Sequence, residues 1–488
     1  MLGIAWGWAA FPALGAEVEA SGGVRGAALS TPNAVLRSQI SSRSDLVVDV
    51  VDRRQNGQGT SEAFGVLLDA RAGVSARIVP ALGGRIGLDT GLMDFDAQSG
   101  VFGDGRPIEA HLRRTLLLGE TYLDLQPRAD GSLVLRLGKL QTSIADGVVF
   151  SGQALGASLD LDLRYQAARR PLKLVAFVGL PDGGFKDVLT SPLFHGALTW
   201  FRGEHRLSLS QTVLVDTSSA LLPLLFGPSL ASDLAETPNR TLAPEASRGW
   251  ISWSGLEWRW EGEHLGIAMI GVLATGRETL EGQRRPEGRL RTVADSVGFD
   301  LLSGFGKIEG QARWDPGPGQ MAVRPFVLAA SGARDLGAPV GRRWTAFPSL
   351  APLVPLTRFF LGAATLPAQQ TPVLQSLSPD GAGLLGVGLA WEWILGVWGV
   401  RTTGAHFRSF APSAPDVLNA RFTGVPEPAA RTYGTEVDLE LSCFFADWAY
   451  ASAEAAVFAT GDFFGQAPAG WQALMGLNVL WDGPSQLP

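Results

Sequence analysis

The sequence predicts an all-β protein, a single large antiparallel transmembrane β-barrel of roughly 16 to 18 strands with short periplasmic turns and long external loops. Three observations predict it. Segments of about ten residues with period-two alternation, the length that crosses a bilayer as a tilted strand, recur along most of the 488 residues. The turn formers Gly, Pro, Asp and Asn separate them. Past the N-terminal segment no apolar run is long enough to span as a helix, although hydrophobic residues make up 46% of the chain and mean hydropathy is +0.13.

Composition points the same way. Charged residues are 18%, below the roughly 25% of an average soluble chain, so apolar side chains are spread over an unusually large surface. Sixty-one glycines and thirty prolines argue against a mainly helical protein, and fifteen Trp with twenty-four Phe favour strands and membrane interfaces. A net charge of −7, with lysine only at 139, 173, 186 and 307, argues against a nucleic-acid partner, which needs a concentrated basic surface. A single cysteine, Cys443, excludes an intramolecular disulfide framework and a Cys-rich metal site. No cofactor is expected.

In chain order, MLGIAWGWAAFPALGA, residues 1–16, is uncharged and runs into the acidic EVEA. It reads as a secretory signal peptide cleaved near Ala16, and 17–488 as the barrel. Thr121, Leu123 and Leu125 alternate with Tyr122, Asp124 and Gln126; the turn PRADG follows, and Leu133, Leu135 and Leu137 then alternate with Val134, Arg136 and Gly138. In GASLDLDLRYQ, 156–166, Leu159, Leu161, Leu163 and Tyr165 oppose Asp160, Asp162 and Arg164. Leu172, Leu174, Ala176, Val178 and Leu180 share a face, as do Leu207, Leu209, Val213 and Val215. Leu256, Trp258 and Trp260 oppose Glu257, Arg259 and Glu261; Tyr433, Thr435, Val437, Leu439 and Leu441 oppose Glu436, Asp438 and Glu440. MGLNVLW, 475–481, is the expected last strand.

Stretches around 217–248, 276–293, 331–354, 362–383 and 411–431 are rich in Pro, Ser, Ala and Gly and read as long loops. Within or beside them, LLPLLFGPSLA at 221–231 and LAPLVPLTRFFLG at 350–362 are apolar. They either fold over or into the barrel mouth or form surface helices, the second being the simpler reading. Large aromatics near strand ends, Tyr165, Trp260 and Trp448, fit the girdles found at membrane interfaces. The leucine faces are therefore assigned to lipid. Asp124, Arg136, Asp160, Asp162, Arg164, Glu257, Arg259, Glu436, Asp438 and Glu440 are assigned to a watery lumen.

Residues 119–166, with Gly138, Lys139 and Leu140 followed by Asp146 and Gly147, together with FGDGR at 102–106, resemble the alginate-export-like outer-membrane barrels and, behind them, the wider porin superfamily. That resemblance implies a bacterial outer-membrane barrel and, for the alginate exporters, a strongly basic lumen for an anionic polymer. The lumenal set here mixes acids with bases.

Other motifs carry less. GAGLLG, 381–386, matches a dinucleotide fingerprint in letters but opens into a strand rather than a helix and reads as a glycine turn. His111, His195, His205, His264 and His406 show no metal-binding spacing. DFD at 94–96 and DLD at 160–162 read as solvated faces. The expected function is non-enzymatic: passive passage of hydrophilic solutes, or export of a polysaccharide, through a barrel whose partners are outer-membrane lipid and the solute. Two alternatives stand beside it, a non-conducting barrel anchoring envelope-complex proteins of a surface-polymer or motility machine, and a barrel-embedded hydrolase.

Overall fold

The computed structural model describes residues 17–32, 62–79, 81–89, 93–96, 101–102, 117–118, 121–128, 132–165, 170–182, 191–216, 240–284, 293–332, 343–350, 354, 356–357, 360–361, 377–378, 381–411, 431–446, 449–464 and 470–482. The signal segment 1–16, the apolar run 221–231 and Trp448 lie outside these residues.

All 22 strand segments belong to one sheet. They begin with β1 (Glu17–Pro32), β2 (Glu62–Val79) and β3 (Leu82–Asp89), then the short β4 (Met93–Asp96), β5 (Val101–Phe102) and β6 (Leu117–Leu118). Next come β7 (Thr121–Leu125), β8 (Leu133–Ile144), β9 (Phe150–Tyr165), β10 (Arg170–Asp182), β11 (Leu193–Arg202) and β12 (His205–Asp216). Then follow β13 (Arg240–Glu261), β14 (Leu265–Arg284), β15 (Val293–Trp314), β16 (Gln320–Ala330) and the short β17 (Arg343–Trp344). The series ends with β18 (Leu384–Leu395), β19 (Trp398–Arg408), β20 (Thr432–Ala446), β21 (Ala449–Thr460) and β22 (Gly470–Asp482).

Setting aside the four segments of two to four residues leaves 18 strands. Each pairs antiparallel with the next, and β22 pairs back to β1, Trp481 opposite Gly22. The sheet closes on itself, so its backbone groups find partners without an open edge, as a bilayer requires. Tight turns such as 203–204, 262–264 and 396–397 gather at one end and long connections at the other.

The expected loops at 217–248 and 276–293 are shorter than the sequence indicated, because β13 and β14 extend through 240–248 and 276–284. Pro244 in the first of these stretches and Gly276 and Gly282 in the second, among polar residues, read as loop, but pairing with the neighbouring strand supplies the ladder that local propensity does not. A second correction concerns Tyr433. Alternation places it with the outward Thr435 and Val437, yet a bulge around Gly434, whose φ is 151°, turns Tyr433 inward to full burial.

Outward positions carry a continuous apolar surface. Leu209, Leu256, Leu273, Ile308, Val387 and Val437 are each about half exposed, from 49% to 59%. No water-soluble surface tolerates such an expanse. Trp200, Trp258, Trp260, Trp314, Trp391, Trp393 and Trp398 lie on outward positions near the tight-turn end. On β13, Trp250 stands ten residues before Trp260. At about 3.3 Å per residue and a tilt near 40°, that spacing gives a band about 25 Å tall, the apolar height of an outer-membrane barrel. Gln211 also faces outward, and its amide is bonded to Ser252 and Ser254, so its polarity is partly satisfied within the wall.

The main buried cluster lies inside the ring. The described part of 343–361 is neither a helix nor a surface feature, which corrects the simpler reading of 350–362. Phe347 packs on Phe305 with centroids 5.6 Å apart, and Phe360 stacks against Phe407 at 4.3 Å and Phe458 at 5.3 Å. Trp253 Nε1 donates to Pro348 O at 3.0 Å, and Ser331 Oγ donates to Thr345 O at 2.6 Å while accepting Gly304 N. Apolar side chains that would be unfavourable in a loop are thereby sheltered against inward wall residues such as Leu214, Ile251 and Leu328.

Candidate permeation path

Register sets which side chains can meet a solute. On β13 the odd positions Ile251, Trp253, Glu257 and Arg259 point inward; across the ladder the inward partners are Ile270 and Ala268 on β14 and Lys307 and Glu309 on β15. The long-loop half of the interior is filled by the folded-in segment. Towards the tight turns the inner face becomes ionic.

The centre of this ionic region comes from an unexpected source. Residues 145–149, joining β8 to β9, form a tight connection at the long-loop end, and they fold into the barrel. Val148 and Val149 are fully buried, and Val149 O accepts Leu350 N at 2.9 Å. Ala145 and Asp146 adopt left-handed φ values of 52° and 54°, uncommon for side-chain-bearing residues. This conformation aims Asp146 into the lumen, where its carboxylate accepts Lys307 Nζ and Arg259 Nη2, both at 2.8 Å. Arg259 Nε also donates to Glu257 at 2.6 Å, and Arg206 approaches Glu257 at 4.0 Å.

Burial pushes the Asp146 carboxyl up, but the Lys307 ammonium and the Arg259 guanidinium outweigh it and hold Asp146 below the ordinary carboxylate range. The sign follows from linkage: a depressed acid contributes stability above its unfolded value, about 3.9, and loses it as pH falls through the lower folded value. Asp146→Asn is therefore expected to lower stability by about 1–2 kcal/mol at neutral pH, a figure reduced because a third of the side chain meets water. Urea titrations should show this gap nearly constant from pH 7 to about 4 and closing at lower pH.

The sequence-assigned lumenal residues take up the following places. Arg136 Nη1 pairs with Asp160 at 3.1 Å, and Lys173 approaches the same carboxylate at 3.6 Å. Asp124 lies opposite Arg136 in the ladder and accepts Gln126 Nε2 at 3.4 Å. Asp162 is half-buried opposite Lys173. Arg164 follows the same alternation, opposite Pro171, but its side chain lies outside the described residues. Glu257 and Arg259 form the network above. Glu436, Asp438 and Glu440 alternate along β20 towards the interior, yet Glu436 is fully buried: it accepts Phe360 N at 2.9 Å and so anchors the folded-in segment instead of meeting water.

Sequence reasoning missed Asp146, Lys307, Arg206 and the ladder Arg324, Glu392 and Arg401, in which Glu392 binds Arg324 at 3.0 Å and Arg401 at 3.5 Å. Arg206 and Glu392 were accessible to it, since each alternates with outward Leu or Trp in HRLSLS and LAWEWIL. Lys307 sits in the glycine-rich GFGKIEG, where apolar Phe305 shares its face and Ile308 takes the other, so alternation does not mark which side is polar. The histidines are dispersed: His195 Nδ1 contacts Thr212 Oγ1 and His406 Nδ1 contacts Thr435 Oγ1, both at 2.9 Å, and His205 stacks on Trp258.

Between the ionic network and β11 lies a cavity of about 410 Å³ lined by Thr199, Ser208, Ser210, Arg206 and His195. Water reaches the inward charges: the side chains of Arg206, Lys173 and Arg136 are 45%, 39% and 35% exposed. An apolar outer band around such an interior is the construction of a bacterial outer-membrane β-barrel.

No family model matches the sequence. No curated protein matches it. Among solved structures, the chain is similar to OccK1 (OpdK) of Pseudomonas aeruginosa, with 8% identity, 96% of this chain and 99% of that one covered, and a TM-score of 0.49. It is also similar to OpdL of the same organism, with 11% identity, coverage of 96% and 99%, and a TM-score of 0.48. OccK5 (OpdH), again from that organism, gives 10% identity, coverage of 96% and 98%, and a TM-score of 0.46.

Proposed function

We propose that the protein is a narrow passive channel for small hydrophilic solutes. The observation that carries this reading is the water-exposed set of inward ionic groups inside a closed apolar-banded ring. Eighteen strands enclose a width that holds an aqueous path, and the folded-in segment restricts it to the side lined by charges and hydroxyls. Selectivity then comes from bore and from charge. Glu440 on β20 and Asp162 on β9 lie on inward, partly exposed positions and favour cations there, while Asp438 and Glu454 on the adjoining rungs are buried. A polysaccharide conduit of the alginate-export type fits less well, because a polymer needs the bore into which the described residues of 343–361 pack, and an anionic one meets Glu440 and Asp162 there.

Reversal potentials in a salt gradient test the reading. Cation preference is expected, reduced towards unity by Glu440→Gln combined with Asp162→Asn, with folding intact. Barrels that insert and pass no current would overturn it. That outcome would favour a second reading, a non-conducting barrel anchoring an envelope complex, for which the tight apolar packing of Phe347 and Phe360 speaks.

A further inference from the structure

We propose that the cavity beside Asp146 is a binding subsite for a neutral polyhydroxylated solute, a sugar or sugar alcohol of hexose size; this rests on the channel reading and assigns its solute class. The first argument is charge. Every ion around the cavity is already answered: Arg259 by Glu257 and Asp146, Lys307 by Asp146 and Glu309, Arg206 more loosely by Glu257. An anion drawn to Arg206 would lie beside two carboxylates, and a cation drawn to those carboxylates would lie beside two guanidinium groups. Neither gains what it loses on leaving water.

The second argument is the lining. Thr199 Oγ1 and Ser208 Oγ are 3.0 Å apart, and either can donate to the other, so the pair can turn a donor or an acceptor towards a ligand. Ser210 adds a third hydroxyl, next to Gly255, where a Cβ would come within 2.4 Å of Ser210 Oγ. Glycine at 255 thus leaves this corner open. Hydroxyls that both donate and accept match a ligand whose own groups do the same, and the paired Arg206 and Glu257 offer a planar donor set and a carboxylate to neighbouring hydroxyls. A volume of about 410 Å³ admits such a molecule with some water.

Glucose, gluconate and glucosamine share a size and differ in charge, so they separate the possibilities. In planar bilayers, glucose is expected to block the ionic current at lower concentration than either charged analogue. In the Ser208→Ala, Ser210→Ala double variant the half-blocking glucose concentration, measured relative to that variant's own open-channel current, should rise about tenfold, as expected for the loss of two hydrogen bonds. Stronger block by gluconate or glucosamine, or current indifferent to glucose, overturns the subsite and leaves the channel standing. Absence of any current overturns the channel reading instead. The subsite is then decided by calorimetry on the detergent-folded protein: heat on glucose addition that the double variant loses supports it, and no heat overturns it.

Discussion

Replacing residues 345–361 with a short Gly-Ser linker is expected to raise single-channel conductance several-fold. The described residues of this segment lie inside the ring, with Phe347 and Phe360 packed on inward aromatics of β15, β19 and β21 and the Phe360 amide held by the buried Glu436 carboxylate. Among the described residues, none of the eighteen wall strands depends on it for pairing, apart from the short parallel contact of Asp300 and Leu301 with Arg343 and Trp344, which the replacement spares. The closed ladder should therefore persist while the bore widens. A milder change, Phe360→Ala, removes a buried aromatic worth about 3–5 kcal/mol of packing; loosened docking should appear as frequent transitions between conductance levels. Unchanged conductance in the replacement would place the segment outside the solute path.

Leu256→Arg is expected to impair insertion, costing about 2–4 kcal/mol, whereas Trp260→Arg on the same strand should cost about 0–1 kcal/mol. Leu256 is half exposed on the outer face, four residues from Trp260 and six from Trp250, near the middle of the apolar band. A charge there faces hydrocarbon; a charge at 260 reaches the interface, where Trp260 Nε1 already binds Glu204. Folding titrations into lipid vesicles measure both. Equal, small effects would mean that position 256 meets water.

The barrel class was legible because alternation has only two faces: once Leu159, Leu161 and Leu163 are assigned to lipid, Asp160 and Asp162 must point inward. Repetition of that choice along the chain gave the architecture. Boundaries were less legible, since the extended ends of β13 and β14 carry Pro, Gly and polar residues that are held in the ladder by their partner strands and not by their own propensity. The site was half legible. Glu257 and Arg259 alternate with Leu256, Trp258 and Trp260, so their shared face is readable from the letters, while Asp146 reaches Arg259 only because an unusual turn folds into the ring, which no periodicity encodes. The same holds for Glu436. Its face was readable, but its burial depends on Phe360 arriving from a segment some 76 positions away.

Cysteine accessibility tests most directly whether the outer face meets lipid and the inner face water. In a Cys443→Ser background, single cysteines at 256 and 439 on the outer face and at 257 and 440 on the inner face are exposed to a small, hydrophilic, membrane-impermeant thiol reagent in intact outer membranes. Reaction at 257 and 440 with protection at 256 and 439 is the predicted result, although Leu256 and Leu439 are 50% and 40% exposed on the bare protein. Rapid reaction at 256 and 439 with slow reaction at 257 and 440 would contradict it, because that is the pattern of a barrel standing in water.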